Sequence, residues 1–110
     1  MTEEQISQDN NEQDQVQAEN GTRAPEPRVE DLLRFSMNLF AEQAWMSLGI
    51  RALPGSGETK MDIGQARLAI DAFGALAQLT EHRFDPHEVR DLKNMLASLQ
   101  LNFAQRAAGV

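Results

Sequence analysis

The stretch Phe84-Asp85-Pro86-His87-Glu88-Val89 opens a helix with several signals at once. Asp85 suits the N-cap, Pro86 suits the first helical position where its missing N–H forfeits no bond, and Glu88 is spaced to reach back to the cap. Phe84 and Val89 stand on either side as a hydrophobic staple. Beyond this start Val89, Leu92, Leu96, Leu99 and Phe103 recur at spacings of 3, 4, 3 and 4, a single apolar seam of the kind that packs in helical bundles. The pattern predicts a helix to about Ala107, with Arg90, Asp91, Lys93, Asn94 and Gln100 on its solvated side.

Upstream, Asp62 is a good N-cap, and Gln65 three residues later fits the reciprocal capping pattern. The helix it starts should run to about Thr80. Ile63, Ala66, Ala69, Ile70, Ala72, Phe73, Leu76, Ala77 and Leu79 spread over more than half of it, leaving Arg67, Asp71 and Gln78 as a narrow polar strip. Its many alanines permit close approach of a neighbouring helix. Before it, Pro54-Gly55 and Gly57 mark a loop that reverses the chain.

A first helix is expected from about Val29 to Leu48, with Glu30 and Asp31 in the first turn, where the helix dipole favours negative charge, and Gly49 as the stop. Advancing about 100° per residue, Leu32, Leu33, Phe35, Ser36, Met37, Leu39, Phe40, Ala41, Ala44, Met46 and Leu48 cover roughly two-thirds of its circumference. Such a helix wants neighbours on several sides. Arg34, Asn38, Glu42 and Gln43 interrupt it too often for a membrane span, which needs about 20 mostly apolar residues.

The chain has 110 residues and a net charge of −7. Seven acidic and two basic residues precede Val29, so the acidity belongs mainly to this leader. Rich in Gln, Asn, Glu and Asp, residues 1–28 lack the apolar side chains needed to offset the entropy of ordering a backbone, and disorder is expected. Ala24-Pro25-Glu26-Pro27 should form a stiff, extended spacer. Deleting Met1 to Pro27 is expected to leave the urea-unfolding slope unchanged, since that slope follows the surface exposed on unfolding. A clearly smaller slope would mean that the leader packs on the helices.

The segment Leu48-Gly49, then Pro54-Gly55, then Gly57-Glu-Thr-Lys-Met-Asp-Ile-Gly-Gln-Ala-Arg-Leu-Ala-Ile-Asp71 resembles the bacterial family catalogued as domain of unknown function 1844. The resemblance extends from about Val29 to Phe103 and covers the order of parts: an apolar first helix ending in Leu-Gly, a Pro/Gly loop, an Ala-Arg-x-x-Ile-Asp helix and a capped, Leu-rich last helix. It implies a small helical domain and brings no activity with it. Gly64 and Gly74 depart from the bulkier or charged residues frequent in relatives, and Glu81-His-Arg-Phe84 replaces a turn that more often contains Lys or Gly.

Chemistry-bearing constellations are sparse. A Walker-type loop needs Gly-x-x-x-x-Gly-Lys followed by Ser or Thr after a buried strand, whereas here Lys60 follows Thr59 and no strand precedes the glycines. His82 and His87 lie five apart across a turn, unlike the i,i+4 spacing of metal ligands on one helix, and no metal or cofactor is read from them. Without cysteine, nucleophilic catalysis would fall to Ser36, Ser47, Ser56 or Ser98, none of which has an elbow motif around it. Arg67 and Asp71, at i,i+4, read as a helix-surface pair. Arg83, Arg90 and Lys93 are too small a basic cluster in an acidic chain to suggest nucleic-acid binding.

The expectation is therefore an all-α domain over residues 29–108, a helical hairpin plus a capped C-terminal helix, self-associating and non-enzymatic behind a disordered leader. With no secretory signal at its start, the chain reads as cytoplasmic. The candidate interaction surface is Met37, Phe40, Trp45, Met46, Ile70 and Phe73, facing a homo-oligomer mate or another protein. The competing expectation is an enzyme or ligand-binding protein with a site formed between subunits near Arg67, Asp71, His82 and His87.

Overall fold

The computed structural model describes residues 26–109, and the leader up to residue 25 lies outside the described residues. Three helices make up the described fold: α1 (Val29–Ser47), α2 (Ile63–Leu79) and α3 (Pro86–Ala108). Among the described residues the only β-type pairing is an isolated antiparallel bridge between Leu48 and Met61.

α1 ends where Gly49 turns to φ 76°, in the left-handed region that a side chain makes costly. This lets the N–H groups of Ile50 and Arg51 donate to the carbonyl of Trp45 at 3.1 and 3.2 Å, so the last turn keeps its partners. The loop then returns to α1 at its base: Met61 pairs with Leu48, and the N–H of Asp62 donates to the carbonyl of Ser47 at 2.7 Å. That bond supersedes the reciprocal cap expected at Gln65. Asp62 does accept from the Gln65 N–H at 3.1 Å, but its own N–H is already taken by the end of α1. The two helices are thereby set antiparallel, with Ser47 beside Asp62.

They face each other through small residues. Ala41 and Ala44 of α1 and Ala66 and Ala69 of α2 are buried, so the backbones approach closely, and Met37, Ile70 and Phe73 fill the remaining space. Thr80 closes α2 as a fully buried polar residue whose hydroxyl is satisfied by donating to the Ala77 carbonyl at 2.7 Å.

α3 starts as its sequence requires. Asp85 accepts from the His87 N–H at 2.8 Å, Pro86 occupies the first turn, and Phe84 and Val89 are both buried in the common core. Glu88 departs from expectation: its carboxylate accepts from Arg34 at 2.7 and 3.1 Å, tying α3 to α1 in place of reaching back to the cap. Arg34 also bonds Asp31 and lies 4.3 Å from the centroid of the Phe84 ring. A fork-shaped guanidinium on a carboxylate and an aromatic face is a strong local clamp, and the bonded Glu88 carboxylate holds the Arg34 guanidinium above its ordinary pKa.

α3 rests mainly on α2 and touches α1 little. Leu99 is fully buried in the seam, with Leu92, Leu96 and Phe103 half-buried along it. Gly74 lies under Leu96, and a Cβ built there would stand 3.5 Å from Leu96 Cδ1, an ordinary van der Waals distance. Gly74→Ala is therefore expected to raise the unfolding free energy by about 0.5–1 kcal/mol through helix propensity. Urea unfolding at one fixed protein concentration measures this, and destabilisation would mean that the α2–α3 spacing has no room for a methyl group.

Candidate interaction surface

At about 100° per residue, the α2 positions around Phe73 divide into two flanks. Gly74, Ala77 and Glu81 lie toward α3, where Lys93 donates to Glu81 at 2.9 Å. That hydrogen bond, with the charge of Lys93, holds the Glu81 carboxyl below its usual pKa. Leu68, Ala72 and Leu79 lie on the opposite flank, and Leu68 is 65% and Leu79 59% exposed. On α1 the flank toward α3 carries Arg34, whose partner is Glu88. The opposite flank carries Leu32, Ser36, Leu39 and Phe40, with Leu32 59% and Leu39 54% exposed.

Because α1 and α2 are antiparallel, these two flanks lie on the same side of the hairpin. Counting a rise of about 1.5 Å per residue from the Leu48–Met61 bridge places Leu32 within about 3 Å of the level of Leu79, and Ser36 and Phe40 within about 1.5 Å of the levels of Ala72 and Leu68. The result is one two-helix surface, mostly apolar between its ends, with the neutral Ser36, Gln43 and Gln65 among its members. Charged side chains rim both ends, Glu30 and Arg83 beside Leu79, and Lys60 and Asp62 beside Gln43 and Gln65. Bulky residues stand at both ends, and small ones form the waist. Contiguous exposed apolar area of this kind is uncommon on monomers, whereas isolated apolar residues such as Leu101 on α3 are ordinary.

Of the residues expected to form the surface, Met37, Ile70 and Phe73 must be corrected. They are 1–4% exposed and fill the hairpin's own core, because the middle of each apolar arc points at the other helix. Phe40 does lie on the exposed flank. Trp45 and Met46 are half-buried, and Trp45 packs against the core. Leu32, Leu39, Leu68 and Leu79 supply most of the exposed area.

Arg67, Asp71, His82 and His87 fall in two places. Arg67 and Asp71 form an exposed pair at 3.9 Å on the rim of a shallow depression of about 260 Å³, shared with Ile70, Gln100 and Phe103. His82 sits in the exposed turn after α2, and His87, in the first turn of α3, has its Nδ1 2.6 Å from an Arg90 nitrogen. Asp71 and the end of α2 are about 12 Å apart along the helix axis by its rise per residue, so within one chain the four side chains do not share a site. Among the described residues no three His, Asp or Glu side chains stand together as metal ligands would. No helix among them is long and apolar enough to cross a membrane.

Residues 31–105 match the family model described as Domain of unknown function (DUF1844). The chain belongs to this family. The match confirms the resemblance carried by the Leu48–Asp71 segment, and it takes in all of α2 together with nearly all of α1 and α3. The exposed two-helix surface thus lies within the DUF1844 domain. No curated protein matches the chain, and no solved structure does.

Proposed function

We propose that this DUF1844 domain is a non-enzymatic protein-interaction module of the cytoplasm whose working surface is the apolar flank of α1 and α2 opposite α3. The observation that carries this reading is the run of exposed apolar side chains along the flank, from Leu32 and Leu79 at one end to Leu39, Phe40 and Leu68 at the other. Burying such a surface against another protein is favourable at about 25 cal/mol per Å² of apolar area removed from water, offset by the cost of association. Leaving it in water forfeits that gain.

The reading is tested on the chain at its natural abundance in a native extract. Sizing with detection of the chain should find it in an assembly clearly larger than its 12.3 kDa. Elution as a free chain at that concentration would overturn the proposal.

A further inference from the structure

We infer that the occupant of this flank is a second copy of the same chain, packed about a two-fold axis so that two α1–α2 pairs make a four-helix core with each α3 outside. This deepens the interaction-module reading and rests on it.

The first argument is area. The exposed portions of Leu32, Leu39, Phe40, Leu68 and Leu79 amount to about 550 Å² before the alanines and serine of the waist are counted, against roughly 800 Å² per partner in a standard stable interface. The flank alone supplies about two-thirds of what a dimer needs.

Charge is the second argument. Two copies of a chain with net charge −7 repel each other, so association is favoured through a surface poor in unpaired carboxylates. The flank meets this condition: between its ends its polar members Ser36, Gln43 and Gln65 are neutral, and the carboxylates at its ends stand with Arg83 and Lys60. Recognition of a strongly charged partner or an anionic lipid surface would require a run of one charge along the flank, whereas the charges at its ends are of both signs, Glu30 with Arg83 and Asp62 with Lys60. The chain's own leader is also unsuited: residues 1–25 offer only Met1, Ile6 and Val16 as large aliphatic side chains among six carboxylates.

The third argument is shape. A two-fold axis through the waist, near Ser36 and Ala72, places the Leu32 and Leu79 end of one copy over the Phe40 and Leu68 end of the other. Self-complementarity is the condition for a two-fold interface. The small residues at the waist let the helices approach where they cross, while the bulky ends interdigitate around the crossing, as in four-helix packing.

The test uses the purified 110-residue chain. Light scattering in the micromolar range should give twice the 12.3 kDa chain mass. Leu68→Asp, at an exposed position that the monomer fold tolerates, should weaken the dimer by about 100-fold or more, because the two-fold introduces the carboxylate twice into an apolar interface. Its helical circular dichroism should remain. Leu101→Asp, equally exposed on α3 and off the flank, should leave the dimer intact. Since the chain has no cysteine, Ser36→Cys provides a single thiol that should form an inter-chain disulfide on mild oxidation, whereas Ser98→Cys on α3 should not.

A monomeric purified chain would overturn the inference. If the large assembly in extract persisted, the interaction-module reading would stand with a different partner; if it too were absent, both would fall. A dimer lost on Leu101→Asp and kept on Leu68→Asp would overturn the assignment of the flank while leaving self-association in place.

Discussion

Phe73→Ala is expected to lower the unfolding free energy by about 3–5 kcal/mol, the range for deleting a buried phenylalanine. Phe73 is 2% exposed and packs in the one core shared by all three helices. Its neighbours are helix-borne and cannot collapse far into the space it leaves. Natural domains unfold at a cost of about 5–15 kcal/mol, and short ones lie toward the lower end. At the upper end of the expected loss, a large fraction of the variant should be unfolded without denaturant. Urea unfolding followed by circular dichroism at fixed protein concentration checks this, since association would otherwise shift the apparent stability. A loss below about 1 kcal/mol would contradict the described core.

Leu99→Ala should cost about 2–5 kcal/mol, whereas Leu101→Ala, two residues away, should stay within about 0.5 kcal/mol. The two leucines differ only in the side of α3 they occupy: Leu99 is fully buried in the seam and Leu101 faces solvent. Because α3 is held mainly along α2, the loss of Leu99 should appear first as opening of the C-terminal half of α3. Hydrogen exchange should then show faster exchange from about Ala97 onward than in α1 and α2. Equal costs for the two substitutions would mean that the seam is misassigned.

The parts of this fold legible in the sequence are those governed by neighbours in the chain. Asp85, Pro86, Phe84 and Val89 mark the start of α3 because capping and stapling act over four or five residues. The seam from Val89 to Phe103 is equally local, since helical periodicity alone puts those positions on one side. Glu88 was not legible in the same way, as its partner Arg34 lies 54 residues away and only the docking of α3 brings the two together. The Asp62 N–H likewise answers to Ser47 across the loop, a bond that the capping pattern around Gln65 does not contain.

The interaction surface shows the same limit more sharply. Periodicity gives the width of the apolar arcs on α1 and α2, but not which part of each arc a neighbour covers. The centre of each arc, with Met37 and Phe73, is spent inside the hairpin, and α3 covers one flank. What remains for a partner is the other flank, and Leu68, at the far edge of the α2 arc, becomes one of its most exposed members. Which flank α3 takes is decided by Gly74 beneath Leu96 and by Arg34 meeting Glu88, contacts between residues far apart in the chain.

The stitch at the base of the α1–α2 loop, where Leu48 meets Met61 and Ser47 meets Asp62, separates the length of the loop from the register of the helices. Residues 50–60 hang from a fixed anchor, and Gly55 and Gly57 at their tip have open space around them. Lengthening a loop whose ends are already held costs little, about 0.6 kcal/mol for each doubling. The tip is thus the natural port for grafting: an epitope or a fluorescent reporter inserted between Gly55 and Ser56 would ride on the domain without shifting α1 against α2, and the loop's ends would stay held by the Leu48–Met61 bridge and the Ser47–Asp62 bond.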